Sequence, residues 1–156
     1  MKNIRKIEKR EIMRFLKFGI VGVLGMGVTY FFWIFLEKFL SFPDRLALAI
    51  GIEIAIISNF ILNHFWTFKD RPQEESIFFK LVKFNFVSLG GLLVNIFIYT
   101  IFRDYFGFSN KYFVLNNLIV FSFKYFAEFF GVLGGFLWNF FVNNFWTWSK
   151  NKYFKK

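Results

Sequence analysis

The sequence predicts an all-α polytopic membrane protein whose four transmembrane helices form two parallel two-helix repeats. Three observations predict it. Of 156 residues, 56% are hydrophobic and 26% aromatic, and the mean hydropathy is +0.46. That leaves too little polar material to cover a soluble domain of this size. Apolar runs recur along the chain at the length a bilayer requires, about 18 residues or more. Finally, the string Asn59-Phe60-Ile61-Leu62-Asn63-His64-Phe65-Trp66-Thr67 returns eighty residues later as Asn139-Phe140-Phe141-Val142-Asn143-Asn144-Phe145-Trp146-Thr147, with six of nine positions identical. Self-similarity at a fixed offset is the signature of a duplicated unit.

Taken in order, residues 1–17 form a basic tail with seven Lys or Arg and two Glu. Ile4, Ile7, Ile12 and Phe15 interleave with those charges, as in a short helix lying on a membrane surface. The tail is too charged, and the run after it too long, for a cleaved signal peptide. The first span covers about 18–37. Its first nineteen residues carry no charge, and at about 1.5 Å rise each they cross most of a hydrocarbon core of about 30 Å. Glu37-Lys38 ends it, and Ser41-Phe42-Pro43-Asp44 is a turn. The second span covers about 46–68 with Glu53 inside it. A polar loop containing Pro72, Gln73, Glu74 and Glu75 leads to the third span, about 84–102. A longer connection follows, and its apolar stretch 112–123 is expected to lie in the interface or to extend the fourth helix. The fourth span covers about 126–148, and a basic tail occupies 149–156. One membrane domain, 1–156, is expected.

The repeat reaches beyond the opening string. At an offset of 66, Lys17-Phe18 matches Lys83-Phe84, Gly25 matches Gly91, Val28 matches Val94 and Phe31 matches Phe97. Each unit is thus a helix pair, and both should face the same way, related by an axis along the membrane normal. The two tails and the middle loop hold 15 basic residues, and the other two connections hold five. The positive-inside rule then puts both termini in the cytoplasm of a cell-membrane protein.

Polar residues inside the spans are the candidates for function. Gly51, Ala55, Asn59 and Asn63 lie along one helix face, and Gly131, Gly135, Asn139 and Asn143 repeat that stripe. Small residues let another helix approach closely. The asparagines must find partners, either across the helix interface or in a polar headgroup. Trp66, Trp146 and Trp148 sit where tryptophan anchors a helix at the interface. Lys17 and Lys83 start equivalent helices; they set topology or meet a phosphate as point charges. Glu53, ionisable within a span, is a functional candidate by default, although its counterpart is Leu133. Glu128 is read as snorkelling or loop-facing, and His64 as an interfacial hydrogen-bonding residue rather than a proton carrier or metal ligand.

Several classes are excluded. The net charge of +10 flanks apolar runs, so it points to membrane lipid and not to nucleic acid. There is no cysteine, hence no disulfide framework, thiolate metal site or redox motif. Asp44, Asp70 and Asp104 are isolated, so a nucleotide-sugar metal motif is missing, and no Ser-His-Asp constellation can be assembled. A four-helix multidrug exporter would need an acidic residue in the first span, which has none. No enzyme activity, cofactor or metal is expected.

The run Phe15-Leu16-Lys17-Phe18-Gly19-Ile20-Val21-Gly22, followed by Asn59-Phe60-x-x-Asn63-x-x-Trp66-Thr67-Phe68 and by the second copy of the pattern, resembles the GtrA-like family over about 15–150. The chain departs from the pattern at Ser88, which stands where Gly22 sits, and in the long connection before the fourth span. The resemblance implies a small four-span protein of cell-surface polysaccharide synthesis that translocates polyprenyl-phosphate-linked monosaccharides. The alternative is a non-transporting anchor or regulatory partner of a polyprenyl-phosphate glycosyltransferase. The expected binding residues for the lipid-linked sugar are Lys17, Lys83, Asn59, Asn63, Asn139, Asn143, Trp66 and Trp146. The expected partners are membrane lipid, the lipid-linked sugar, a membrane glycosyltransferase and a second copy of the chain.

Overall fold

A 39-residue helix, α1 (Lys2–Leu40), opens the chain. Residues 2–40 contain no proline, and the first turns are rich in Lys, Arg, Glu, Met and Leu, all good helix formers. Nothing in the sequence breaks the helix between the basic segment and the apolar one. The expected separate surface helix over 1–17 is therefore replaced by one continuous rod of about 58 Å, far longer than a hydrocarbon core of about 30 Å. Ser41 ends the rod in the left-handed region (φ 57°), and the Phe42 N–H reaches back to the Leu36 carbonyl at 3.1 Å.

The computed structural model describes residues 2–71, 75–108, 112–115 and 119–149, with side chains for 8–71, 75–108 and 123–149. The tip of the polar loop (72–74) and the basic tail after Ser149 lie outside the described residues. Helix α2 (Asp44–Leu62) follows Pro43 and runs on as a π-helical turn, Asn63–Thr67. Helix α3 (Ile77–Thr100) also closes in a π turn, Ile101–Tyr105. Helix α4 (Lys124–Val142) passes into a third π turn, Asn143–Thr147. The helical spans Glu8–Leu40, Asp44–Thr67, Ile77–Tyr105 and Lys124–Thr147 are long and apolar enough to cross a membrane.

The connection before α4 corrects the sequence reading. Strands β1 (Tyr112–Leu115) and β2 (Ile119–Ser122) pair antiparallel, with Tyr112 opposite Ser122 and Leu115 opposite Ile119. The stretch does not extend the fourth helix. Its Tyr, Phe, Val and Ile favour strand.

The polar and apolar residues are inverted relative to a soluble protein. Val23, Phe31, Phe86, Leu93 and Phe97 are each more than 60% exposed, whereas Asn63 and Asn143 are 2% and 0% exposed. Only a lipid surroundings makes that arrangement favourable, since a buried polar group is costly when it could be in water. The described residues form two compact units, one reaching to Asn85 and resuming at Trp146, the other Phe86–Phe145. In the first, α1 and α2 pack through glycine. A methyl on Gly51 would stand 2.8 Å from the Thr29 carbonyl, and one on Gly25 would overlap the Asn59 carboxamide. In the second, α3 and α4 meet in the same manner. A methyl on Gly131 would stand 2.9 Å from the Asn95 carbonyl, and one on Gly91 would overlap Asn139. Trp138 Nε1 donates to the Val87 carbonyl at 3.2 Å beside Gly90.

Trp148 lies in the first unit and is fully buried. Its ring stacks on Phe68 at 4.3 Å, and Phe60 and Phe84 close around it. Its Nε1 donates to His64 Nδ1 at 3.4 Å. Trp148 is thus a core residue and not an interface anchor. His64, 5% exposed, does accept a hydrogen bond, but inside the core and not at an interface.

Candidate functional site

Arg10, Arg14 and Lys17 stand at i, i+4 and i+7 on α1, which aligns them on one face. That face meets the π turn at the end of α2, and the segment after it brings Lys69 and Asp70 alongside. Together they line a cavity of about 250 Å³ formed by Arg10, Met13, Arg14, Lys17, Trp66, Thr67, Lys69 and Asp70.

The cavity wall is held by ion pairs. Arg14, 7% exposed, takes both Asp70 oxygens, Nη2 to Oδ2 at 2.6 Å and Nε to Oδ1 at 3.3 Å. It also pairs with Glu11, and Arg71 Nη2 donates to the same Glu11 carboxylate at 3.2 Å. The Arg14 guanidinium, through its hydrogen bond, holds the Asp70 carboxyl below the usual carboxylate range. Burial, and secondarily the nearby Arg14 charge, push the Arg71 guanidinium down. The remaining cations of the cavity are uncommitted. Arg10 and Lys69 have no ion pair among the described residues. Lys17 Nζ rests 5.2 Å from the centre of the Trp66 ring and 3.5 Å from the Trp66 carbonyl. Thr67 is 2% exposed, and its buried Oγ1 has no hydrogen-bond partner.

The second lysine sits differently. Lys83 Nζ lies 5.8 Å from the centre of the Trp146 ring, as Lys17 does over Trp66. It is also gripped by Glu75 at 2.6 and 2.8 Å. Trp66 and Trp146 are both exposed on one side. Asn59 and Asn139 press on glycines, and each leaves its Oδ1 unpaired. Asn63 and Asn143 are buried and do not line the cavity. Glu53 is exposed on α2 and Glu128 on α4. Among the described residues, no three His, Asp or Glu side chains gather to hold a metal.

Of the residues expected from the sequence, Lys17 and Trp66 line this cavity; Arg10, Arg14, Thr67 and Lys69 line it too and were not among them. The 10–14–17 spacing was a readable signal, because three cations one turn apart on one face seldom go unanswered. The Asp70 partnership was not readable, since it joins residues 56 apart.

The family model for the GtrA/DPMS transmembrane domain matches residues 17–148. The chain belongs to this family. It is also similar to a protein of Pyrococcus furiosus named dolichol-phosphate mannosyltransferase, with 37% identity over 110 residues. That alignment covers 70% of this chain and 29% of the relative. The chain therefore spans well under half the length of the relative it matches.

Proposed function

We propose that this membrane protein handles polyprenyl-phosphate-linked monosaccharides and translocates them between leaflets for cell-surface polysaccharide or glycan synthesis. The observation that carries the reading is the basic cavity beside Trp66. It offers uncommitted cations at the end of a membrane helix, in a family whose named relative is a dolichol-phosphate enzyme. A lipid phosphate would meet Lys17 there, as a point charge, while the isoprenoid tail lies along the exposed apolar helix faces. In this reading the chain supplies no catalytic group and needs no cofactor.

A second reading has its own support. The similar segment makes up 29% of the mannosyltransferase, so there it is one part of a longer chain. This protein would then anchor or position a separate polyprenyl-phosphate glycosyltransferase without moving lipid itself. Purified protein in vesicles holding a labelled polyprenyl-phosphate hexose separates the two. Label reaching the opposite leaflet with this protein alone supports translocation. Movement only with the glycosyltransferase present, or none at all, removes translocation and leaves the anchoring role.

A further inference from the structure

We infer that the Arg10–Lys17–Thr67–Lys69 cavity is a one-sided site for a phosphate monoester, selecting the unglycosylated lipid phosphate over the sugar-loaded diester. The inference rests on the polyprenyl-phosphate reading for its lipid but on the cavity's own chemistry for its preference.

The charge count sets the preference. Arg14 is already matched by Asp70 and Glu11. Arg10, Lys17 and Lys69 then bring three positive charges that no described carboxylate offsets. A phosphate monoester carries about −1.5 to −2 charge near neutral pH, with its second ionisation at about pH 6. A sugar-phosphate diester carries a single negative charge, and two of its four oxygens are esterified. Three cations and a hydroxyl donor therefore complement the dianion better. The buried Thr67 Oγ1 supplies that hydroxyl, and a phosphate oxygen would give it the partner it lacks. A cavity of about 250 Å³ has room for a phosphate.

The second copy of the pattern lacks the same parts. Ser76 stands at the place of Arg10 and Ser149 at the place of Lys69. Lys80 stands at the place of Arg14, and Lys83, the counterpart of Lys17, is paired with Glu75 on both oxygens. Both copies have thus kept a lysine beside a tryptophan, and among the described residues a carboxylate closes on the lysine of the second copy alone.

The test measures binding to the full-length protein in phosphatidylcholine nanodiscs. The probes are a long-chain polyprenyl monophosphate, its hexosyl diester, phosphatidic acid and inorganic phosphate. At pH 7.5 the polyprenyl monophosphate should bind roughly tenfold more tightly than the diester. The preference should shrink at pH 5.5, below the second ionisation. The carboxylate on the cavity wall does not interfere, since Arg14 holds Asp70 below the carboxylate range; Glu11 and Arg71 pair beside it, outside the cavity lining. Lys17→Gln combined with Arg10→Gln should weaken monoester binding by about tenfold or more and the diester far less, while Lys38→Gln, at the opposite end of α1, should leave both unchanged. Thr67→Val, which keeps the side-chain shape, should weaken monoester binding without lowering the Tm. That variant keeps the test decisive if the multiple-charge variant fails to fold.

Equal binding of monoester and diester at both pH values would overturn the inference while leaving the polyprenyl reading standing. So would a loss in Lys38→Gln as large as in the Arg10→Gln, Lys17→Gln double variant. If phosphatidic acid binds as tightly as the polyprenyl monophosphate with the same residue dependence, the monoester site stands and the polyprenyl reading falls. Displacement of the lipid by an equal concentration of inorganic phosphate would overturn the lipid as its source.

Discussion

The glycines on the helix faces divide into those that meet a neighbour and those that do not, and side-chain replacement should follow that division. A methyl on Gly51 meets the Thr29 carbonyl at 2.8 Å, and a methyl on Gly135 meets the Gly91 carbonyl at 2.7 Å. Backbone cannot swing aside as a flexible side chain can, so the helices must part. Gly51→Ala and Gly135→Ala should each destabilise by about 1–3 kcal/mol, the usual result of overpacking. Gly22 and Gly27 have nothing within 4 Å of the added methyl. Gly22→Ala and Gly27→Ala should stabilise by roughly 0.5–1 kcal/mol through helix propensity alone. Thermal unfolding of the four variants in detergent checks both signs. A second residue-scale expectation concerns Asp70. Its carboxyl is held down by Arg14, so the stabilisation is fully present above the ordinary carboxylate value. It is lost as pH falls through the depressed folded value. The Tm of the parent should therefore drop on acidification below about pH 4 more steeply than that of Asp70→Asn, in scans from pH 7 to pH 3.

Helix ends carry the strain and the chemistry at the element scale. Ser41 closes α1 at φ 57°, a conformation that costs a residue bearing a Cβ about 1 kcal/mol and glycine almost nothing. Ser41→Gly should raise stability by about 0.5–1 kcal/mol, read as a higher Tm with binding unaltered, because Ser41 lies at the opposite end of α1 from the cavity. The π turns that follow α2 and α4 both begin at the second asparagine of the repeated pattern. After α2, the Phe68 N–H bonds the Asn63 carbonyl at 2.8 Å, five residues back. π segments concentrate at functional sites, and this one places Trp66 and Thr67 on the cavity while turning Phe68 into the aromatic core. Lys17 Nζ meets the same turn at the Trp66 carbonyl, 3.5 Å away.

For the molecule as a whole, orientation is the claim that decides where the cavity opens. Fifteen basic residues on one set of segments against five on the other lead us to propose, by the positive-inside rule, that both termini face the cytoplasm. The absence of cysteine allows single-cysteine labelling on an otherwise unmodified background. Ser76→Cys, in the middle loop, should react with an impermeant maleimide only after the cytoplasmic side is opened. Tyr105→Cys, at the end of α3 and 86% exposed, should react from outside intact cells. The reverse pattern would turn the basic cavity outward and overturn the proposal that it meets a lipid phosphate from the cytoplasmic side.

Sequence alone determined the membrane class, the four apolar spans and the doubled Asn-Phe-x-x-Asn-x-Phe-Trp-Thr string, because hydropathy and self-similarity are properties of local order. It also brought forward Lys17 and Trp66, since both sit at span ends where charge and indole rings collect. Tertiary structure decided the rest. One helix joins the basic tail to the first span, since no residue in between breaks it. The apolar stretch before α4 pairs with itself as a hairpin, a choice between strand and helix that a short apolar run leaves open. Trp148 is buried against Phe68 and His64, although its place in the sequence is that of an anchor. Most of all, structure separated two lysines that sequence makes equivalent. Glu75 closes on Lys83, while Asp70 and Glu11 commit themselves to Arg14 and Arg71 and leave Lys17 its charge. Pairing of that kind depends on which side chains fold back within 4 Å of one another, and charge order along a chain does not specify it.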